Sequence, residues 1–244
     1  MHKLKVVAFG VALFIPTVAS AQENWTGPYV GAHVEADYSE VEFEDFGCWT
    51  ACTKPTVQGT AIGGGVSAGY DAQIGDSLVI GFVADIGTGK SRKTSASEFG
   101  VPTAGKITWR SDVDFRSSMR ARIGVSTGKS LIYVTGGVAI AQARFSAEGR
   151  DIPQWRATRS PNYEATWSGT LTGQTYGLGI ETRFGNLSAK AEVLQTKYSP
   201  VTSCFANSDG PSAGTCWSEV STFPSVVRDS QSSSGVRLGL NYRF

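Results

Sequence analysis

The sequence predicts an all-β protein, an eight-stranded antiparallel up-and-down transmembrane β-barrel. Three observations predict it. Apolar residues alternate at period two in eight segments, and no useful length shows a helical period. Tight turns and long polar stretches alternate along the chain, so every short turn falls at one end of the sheet. The composition is that of two opposed faces averaging out: 244 residues, 41% hydrophobic, 18% charged and 29 glycines, with mean hydropathy near zero. That balance excludes a polytopic helical membrane protein, and the apolar content excludes a disordered chain. The formal charge of +1, from 22 basic and 21 acidic residues, provides no basic surface for nucleic acid.

Residues 1–21 read as a cleaved signal peptide. Lys3 and Lys5 form the positive start, Val6 to Val18 is mostly apolar, and Ala19-Ser20-Ala21 is a cleavage site before Gln22. The barrel is then residues 22–244, with net charge −1 once Lys3 and Lys5 are gone.

The strands follow in order. The first sets Val30, Ala32, Val34, Ala36 and Tyr38 against His33, Glu35 and Asp37. The second sets Ile62, Val66, Ala68, Tyr70, Ala72 and Ile74 against Gly63, Gly65, Ser67, Gly69, Asp71 and Gln73. The third opposes Leu78, Ile80, Phe82, Ala84 and Ile86 to Gly81, Asp85 and Gly87. The fourth places Val113, Phe115, Met119, Ala121, Ile123 and Val125 on one face, with Asp112, Asp114, Arg116, Ser118, Arg120 and Arg122 on the other. The fifth, Leu131 to Phe145, is apolar on both faces in its first half and has no assignable facing. The sixth sets Tyr176, Leu178, Ile180 and Phe184 against Gly177, Gly179, Glu181 and Arg183. The seventh sets Leu187, Ala189, Ala191 and Val193 against Ser188, Lys190 and Glu192. The eighth sets Val236, Leu238, Leu240, Tyr242 and Phe244 against Arg237, Gly239, Asn241 and Arg243.

Gly75-Asp76, Thr127-Gly128-Lys129 and Gly185-Asn186 make the tight turns; stretches at about 41–60, 89–108, 146–169 and 199–232 read as four long surface loops. A soluble eight-stranded barrel has the same period with its faces reversed. The charges concentrated on the fourth strand, the export signal and the C-terminus favour the membrane form. Leu240, Tyr242 and Phe244 close the chain as an alternating aromatic and apolar end, similar to the signal read by the outer-membrane assembly machinery.

An eight-stranded barrel has an interior just wide enough for side chains to fill. The polar faces supply Glu35, Asp37, Asp71, Asp85, Asp112, Asp114, Glu181 and Glu192 as acids, and Arg110, Arg116, Arg120, Arg122, Arg183, Lys190, Arg237 and Arg243 as bases. Matched lists predict pairing across the lumen and a plugged pore. The intervening glycines, among them Gly69, Gly81, Gly179 and Gly239, are expected to make room for the arginines.

Cys48, Cys52, Cys204 and Cys216 in an exported chain read as disulfides, and four cysteines allow three pairings. The local pairing, Cys48 with Cys52 and Cys204 with Cys216, is expected; the C-x₁₁-C spacing of the second pair does not fit zinc. His33 reads as a hydrogen-bonded interior histidine rather than a catalytic base. Gly89-Lys90-Ser91 and Gly128-Lys129-Ser130 lack the earlier glycine and the helix of a phosphate loop. No cofactor and no catalytic residue is expected.

Trp25-Thr26-Gly27-Pro28-Tyr29-Val30-Gly31, Ser118-Met119-Arg120-Ala121-Arg122-Ile123-Gly124, Leu131-Ile132-Tyr133-Val134-Thr135-Gly136-Gly137-Val138-Ala139 and Ala189-Lys190-Ala191-Glu192-Val193 together carry a resemblance. They resemble the strand motifs of the porin-family outer-membrane β-barrel proteins, the small immunogenic or surface-antigen group of α-proteobacteria. Val193 stands where that group usually has an aromatic residue. The resemblance implies a Gram-negative outer-membrane location, contact with lipid and lipopolysaccharide, and a structural, surface-displaying role that supports envelope integrity. The alternatives it brings are a small-solute porin and a surface receptor or adhesin for a host or haem ligand at the loops.

Overall fold

In the computed structural model the chain is described over residues 23–45, 56–98, 106–150, 163–204, 206–207 and 226–244. The expected signal peptide, and Cys48, Cys52 and Cys216, lie outside these residues. The strands are β1 (Gly27–Asp45), β2 (Thr56–Ile74), β3 (Leu78–Glu98), β4 (Lys106–Thr127), β5 (Ser130–Arg150), β6 (Tyr163–Phe184), β7 (Leu187–Tyr198), β8 (Val201–Cys204), β9 (Ala206–Asn207) and β10 (Val226–Arg243). Each of β1 to β6 pairs antiparallel with the next, and β7 pairs with β10. β10 then pairs with β1 from Tyr29↔Arg243 to Asp45↔Val227, closing the barrel. Closure is what hydrocarbon requires, because an open edge would leave N–H and C=O groups without partners. The short β8 continues the β7 side of β10, with Cys204 opposite Val226, and β9 pairs with the start of β6.

The three short turns carry glycine at the first loop position with positive φ: Gly75 (61°), Gly128 (63°) and Gly185 (67°). A side chain with a Cβ rarely adopts that conformation, and the two-residue hairpin loops at Gly128 and Gly185 demand it. These turns mark the end of the barrel that is periplasmic in proteins of this type.

Two differences from expectation stand out. First, the stretches expected as long loops are in large part strand. β1 runs on to Asp45, β3 to Glu98 and β5 to Arg150, and their partners begin correspondingly early. Strands of 19 to 22 residues, as in β1 to β6, are about twice what a tilted membrane crossing needs.

Second, the barrel changes polarity along its axis. Toward the short turns it is apolar outside and polar inside. The exposed belt runs over Val30–Tyr38 on β1, Ile62–Ile74 on β2, Leu78–Ile86 on β3 and Ile132–Ile140 on β5. On β7 it is only Leu187–Val193, and on β10 it reaches Phe244. The fifth strand thereby gains its facing: Leu131, Tyr133 and Thr135 point in, Ile132 and Val134 out. Above the belt the faces exchange. Val41, Val57, Val113, Ala141, Ala143, Phe145, Leu171 and Tyr198 cluster inside, while Gln58, Asp114, Gln142, Arg144, Thr170, Thr172 and Lys197 are exposed outside. This upper part is a sleeve with the pattern of a soluble barrel.

On β4 the exchange is made by a β-bulge. Val113 pairs with Ala143 and Phe115 with Gln142, leaving Asp114 as the extra residue. One inserted residue reverses the facing of everything beyond it. Asp112 and Asp114, expected in the lumen, are therefore off the lumen face, and Val113 takes the inward position.

Candidate functional site

The inward faces of the belt region assemble two charge clusters. The lower one lies near the short turns. Arg122 donates from Nε to Asp71 (2.7 Å), pairs with the other Asp71 oxygen through its terminal nitrogen, and reaches Glu181 at 2.9 Å. Arg243 bridges the same two acids at 2.7 and 3.1 Å. Ser188 and Asn241 donate to Glu181 as well. Two cations and two carboxylates from β2, β4, β6 and β10 thus neutralise one another out of water.

Aromatic rings wall this cluster. The Arg122 guanidinium lies over Tyr29 (4.7 Å) and Tyr133 (5.0 Å), and that of Arg243 over Trp25 (4.6 Å) and Tyr29 (4.7 Å). The expected role of the glycines changes here. Tyr29 pairs across from Gly69 and Tyr133 across from Gly179, and a Cβ at either glycine would run into the tyrosine ring. Gly81 makes the same room for Asp71, and Gly239 for Lys190. The glycines seat tyrosine, aspartate and lysine, and the arginines then stack on the tyrosines.

The upper cluster is a chain of alternating charge. Asp37 pairs with Arg116, whose Nη1 is 3.7 Å from Glu35. Glu35 accepts from Arg237 at 2.8 Å, and Arg237 reaches Asp85 at 3.2 Å. Asp85 pairs with Arg120 at 3.1 Å, Arg120 with Glu192 at 3.2 Å, and Glu192 lies 3.9 Å from Lys190. Ser118 donates to Asp85 and the Tyr133 hydroxyl to Glu192. Tyr133, touching Arg122 with its ring and Glu192 with its hydroxyl, joins the two clusters.

Arg183 and Arg110 lie elsewhere. Arg183 sits at the short-turn mouth, donating to the carbonyls of Asn24 and Gly185 and 3.9 Å from Glu23. Arg110 makes a half-exposed cross-strand pair with Glu148 at 2.9 Å, above the belt. His33 points inward as expected, but neither ring nitrogen meets a hydrogen-bond partner among the described residues.

Alternation does not reveal one feature. Residues 23–26 fold across the short-turn mouth. Trp25 is fully buried against Val79, Leu131 and Tyr133; its backbone N–H donates to Gln73 Oε1 (2.9 Å) and its backbone carbonyl accepts from Arg243 (3.2 Å). Arg183 and Arg243 flank its ring. In the sequence Trp25 opens the Trp25–Gly31 motif, but it stands outside the first strand with no alternation to place its side chain. Among the described residues no cluster of three or more His, Cys, Asp or Glu side chains could hold a metal.

The family described as "Outer membrane protein beta-barrel domain" matches residues 7–244. Two relatives, both named 31 kDa outer-membrane immunogenic protein, come from Brucella melitensis biotype 1 and Brucella suis biovar 1. Each is 30% identical over 192 residues, covering 74% of this chain and 75% of the relative. Among solved structures, outer membrane protease OmpT from Escherichia coli aligns with TM-score 0.46 and 9% identity, over 94% of this chain and 99% of that one. OprG from Pseudomonas aeruginosa aligns with TM-score 0.41 and 11% identity, over 91% and 97%.

Proposed function

The chain belongs to the outer membrane protein beta-barrel domain family, and from that membership we propose that it is a non-conducting barrel. Its work is structural: it supports the envelope and displays its outer end at the cell surface. The observation that carries this reading is the lumen. Two interlinked charge clusters cross it and Trp25 covers one mouth, with Asp71, Arg120, Arg122 and Glu181 almost wholly buried. The role is non-catalytic, in line with relatives named as immunogenic proteins. Lipid and lipopolysaccharide are the expected surroundings of the belt, and the assembly machinery the expected reader of Leu240, Tyr242 and Phe244, which face outward with the last two rings in edge contact at 5.1 Å.

Planar-bilayer recording of the refolded protein tests the reading. The expected trace is silent apart from rare brief openings. Steady ohmic conductance would replace the structural reading with the small-solute porin. A surface receptor or adhesin, with haem among its candidate ligands, is the second reading; the strand extension above the belt favours it, because a purely structural barrel needs no such length.

A further inference from the structure

The outer wall of the belt is not evenly filled. Cross-strand register sets Tyr70, Phe82, Ala121, Gly136 and Tyr176 in one row across β2 to β6. Rings stand toward both ends of that row, with an alanine and a glycine between them. One step nearer the short turns, Ala72 leaves a second low spot beside Ile80. The result is a concavity of about 750 Å³ on the outside of the barrel. Ala72, Ala121 and Gly136 are its low ground, and Tyr70 and Phe82, stacked at 6.4 Å, are one flank. The space is open at Gly136: a Cβ there would come no closer than 3.8 Å to any atom beyond its chain neighbours, whereas at Gly137 it would collide with the Met119 carbonyl.

Two observations bear on what fills it. The first is its depth. The concavity is continuous with the apolar belt, so hydrocarbon meets it rather than water. Ala72 lies two residues from the strand end at Ile74, and Ala121 six residues from the strand end at Thr127. With a rise of ~3.4 Å per residue and a tilt of ~40°, these positions stand about 5 Å and about 16 Å above the turns. Half of a hydrocarbon core is about 15 Å, so the concavity spans the chain region of one leaflet, the one nearest the short turns. On the convex wall of a narrow barrel an acyl chain touches protein along one side only. Here it meets a floor and a flank, and each further contact adds dispersion attraction. The second observation is the charge directly below. Asp76 on the β2–β3 turn and Lys129 on the β4–β5 turn are both exposed, and neither has an ion-pair partner among the described residues. The Ser126 N–H donates to the Ser77 carbonyl at 2.8 Å, which holds the two turns side by side. An anion and a cation together at headgroup level complement a headgroup that carries both a phosphate and an ammonium.

We propose that this concavity is a binding site for one zwitterionic aminophospholipid of the leaflet nearest the short turns. An acyl chain lies over Ala121 and Gly136, the phosphate meets Lys129, and the ammonium meets Asp76. A phospholipid with the same chains but no amine would bring its negative charge to Asp76 without compensation. The site rests on the membrane placement of the belt. It lies on the outer wall and does not depend on whether the charged lumen conducts.

Methyl NMR of the refolded protein in detergent micelles, titrated with phosphatidylethanolamine, tests this. Signals of Ala121, Ile123 and Val134 are expected to shift saturably. Those of Val193 on β7 and Leu240 on β10, exposed on the belt away from the concavity, are expected to drift only in proportion to the phospholipid in the micelle. Gly136→Phe, which fills the low ground from its open side, should abolish the saturable component; Ala121→Phe serves if that variant does not fold. Lys129→Glu should weaken binding about two- to fivefold, the worth of one exposed ion pair, and phosphatidylglycerol should bind the parent more weakly by a similar factor. Concavity methyls that drift without saturation in the parent would overturn the proposal. So would saturation that survives filling of the concavity, or phosphatidylglycerol that binds as tightly as phosphatidylethanolamine. Each of these results would leave the conductance reading untouched.

Discussion

Arg122 shows how one residue carries several strands. It joins Asp71 on β2 to Glu181 on β6 and stacks on two tyrosines, all out of water. Its replacement by leucine leaves two buried carboxylates sharing Arg243, and breaking a buried pair commonly costs about 3–5 kcal/mol. Arg110→Ala removes a half-exposed pair and should cost no more than about 1 kcal/mol. Equilibrium urea unfolding in lipid vesicles measures both; equal losses would mean that the lumen charges sit in water and act independently. The inward facing of Arg120, Arg122, Glu181 and Glu192 is legible from alternation alone. Their partners are not, because partnership across a lumen depends on strand stagger, which no single strand records. Nor is the seating of Tyr29 on Gly69 legible, since it joins residues forty positions apart through the β1–β2 register.

At the level of the strand, facing can be tested by charge insertion. Leu238 is exposed on the belt, and Leu238→Arg should cost about 2–4 kcal/mol near the bilayer midplane. Gly239→Arg acts differently, by colliding with Lys190 inside. The bulge on β4 gives a sharper pair. Val113→Arg buries a guanidinium in the apolar sleeve and should cost at least about 2 kcal/mol more than Asp114→Arg, which stays in water. The opposite order in denaturant midpoints would restore the uninterrupted alternation that the sequence alone predicts. Asp112, Asp114 and Arg116 share one parity, so nothing in the residue pattern marks the inserted position. The strand extensions are hidden for a related reason: Ser- and Thr-rich polar stretches suit a loop as well as they suit the wet face of a strand, and their inward apolar partners are too sparse to signal a period.

For the whole molecule, closure of the mouth by residues 23–26 predicts a gate. Trp25→Ala should keep the heat-modifiable folded form and add brief small openings in bilayer recordings; recordings as silent as the parent's would place the entire barrier in the charge clusters. Cys204 ends β8 at the other end of the barrel, and Cys48, Cys52 and Cys216 belong to the stretches that the sequence reads as surface loops. Reduction should leave the heat-modifiable form intact and make the 199–232 segment protease-sensitive, and a peptide map linking Cys48 or Cys52 to Cys204 or Cys216 would contradict the local pairing. Strand number, order and the one-ended short turns are legible in the sequence because the membrane imposes them locally, residue by residue. The change of polarity along the axis is not, because it is a property of all eight strands at one height. The belt below that change is uneven in height: with a rise of ~3.4 Å per residue and a tilt of ~40°, Ile62–Ile74 on β2 spans about 30 Å along the membrane normal, and Leu187–Val193 on β7 about 15 Å. Lipid that follows both edges must be stretched beside β2 and compressed beside β7, unless the barrel leans to share the difference. The protein therefore carries a sloping collar of deformed bilayer, and another body in the same leaflet with a thin flank of its own would relieve the strain most by settling next to β7.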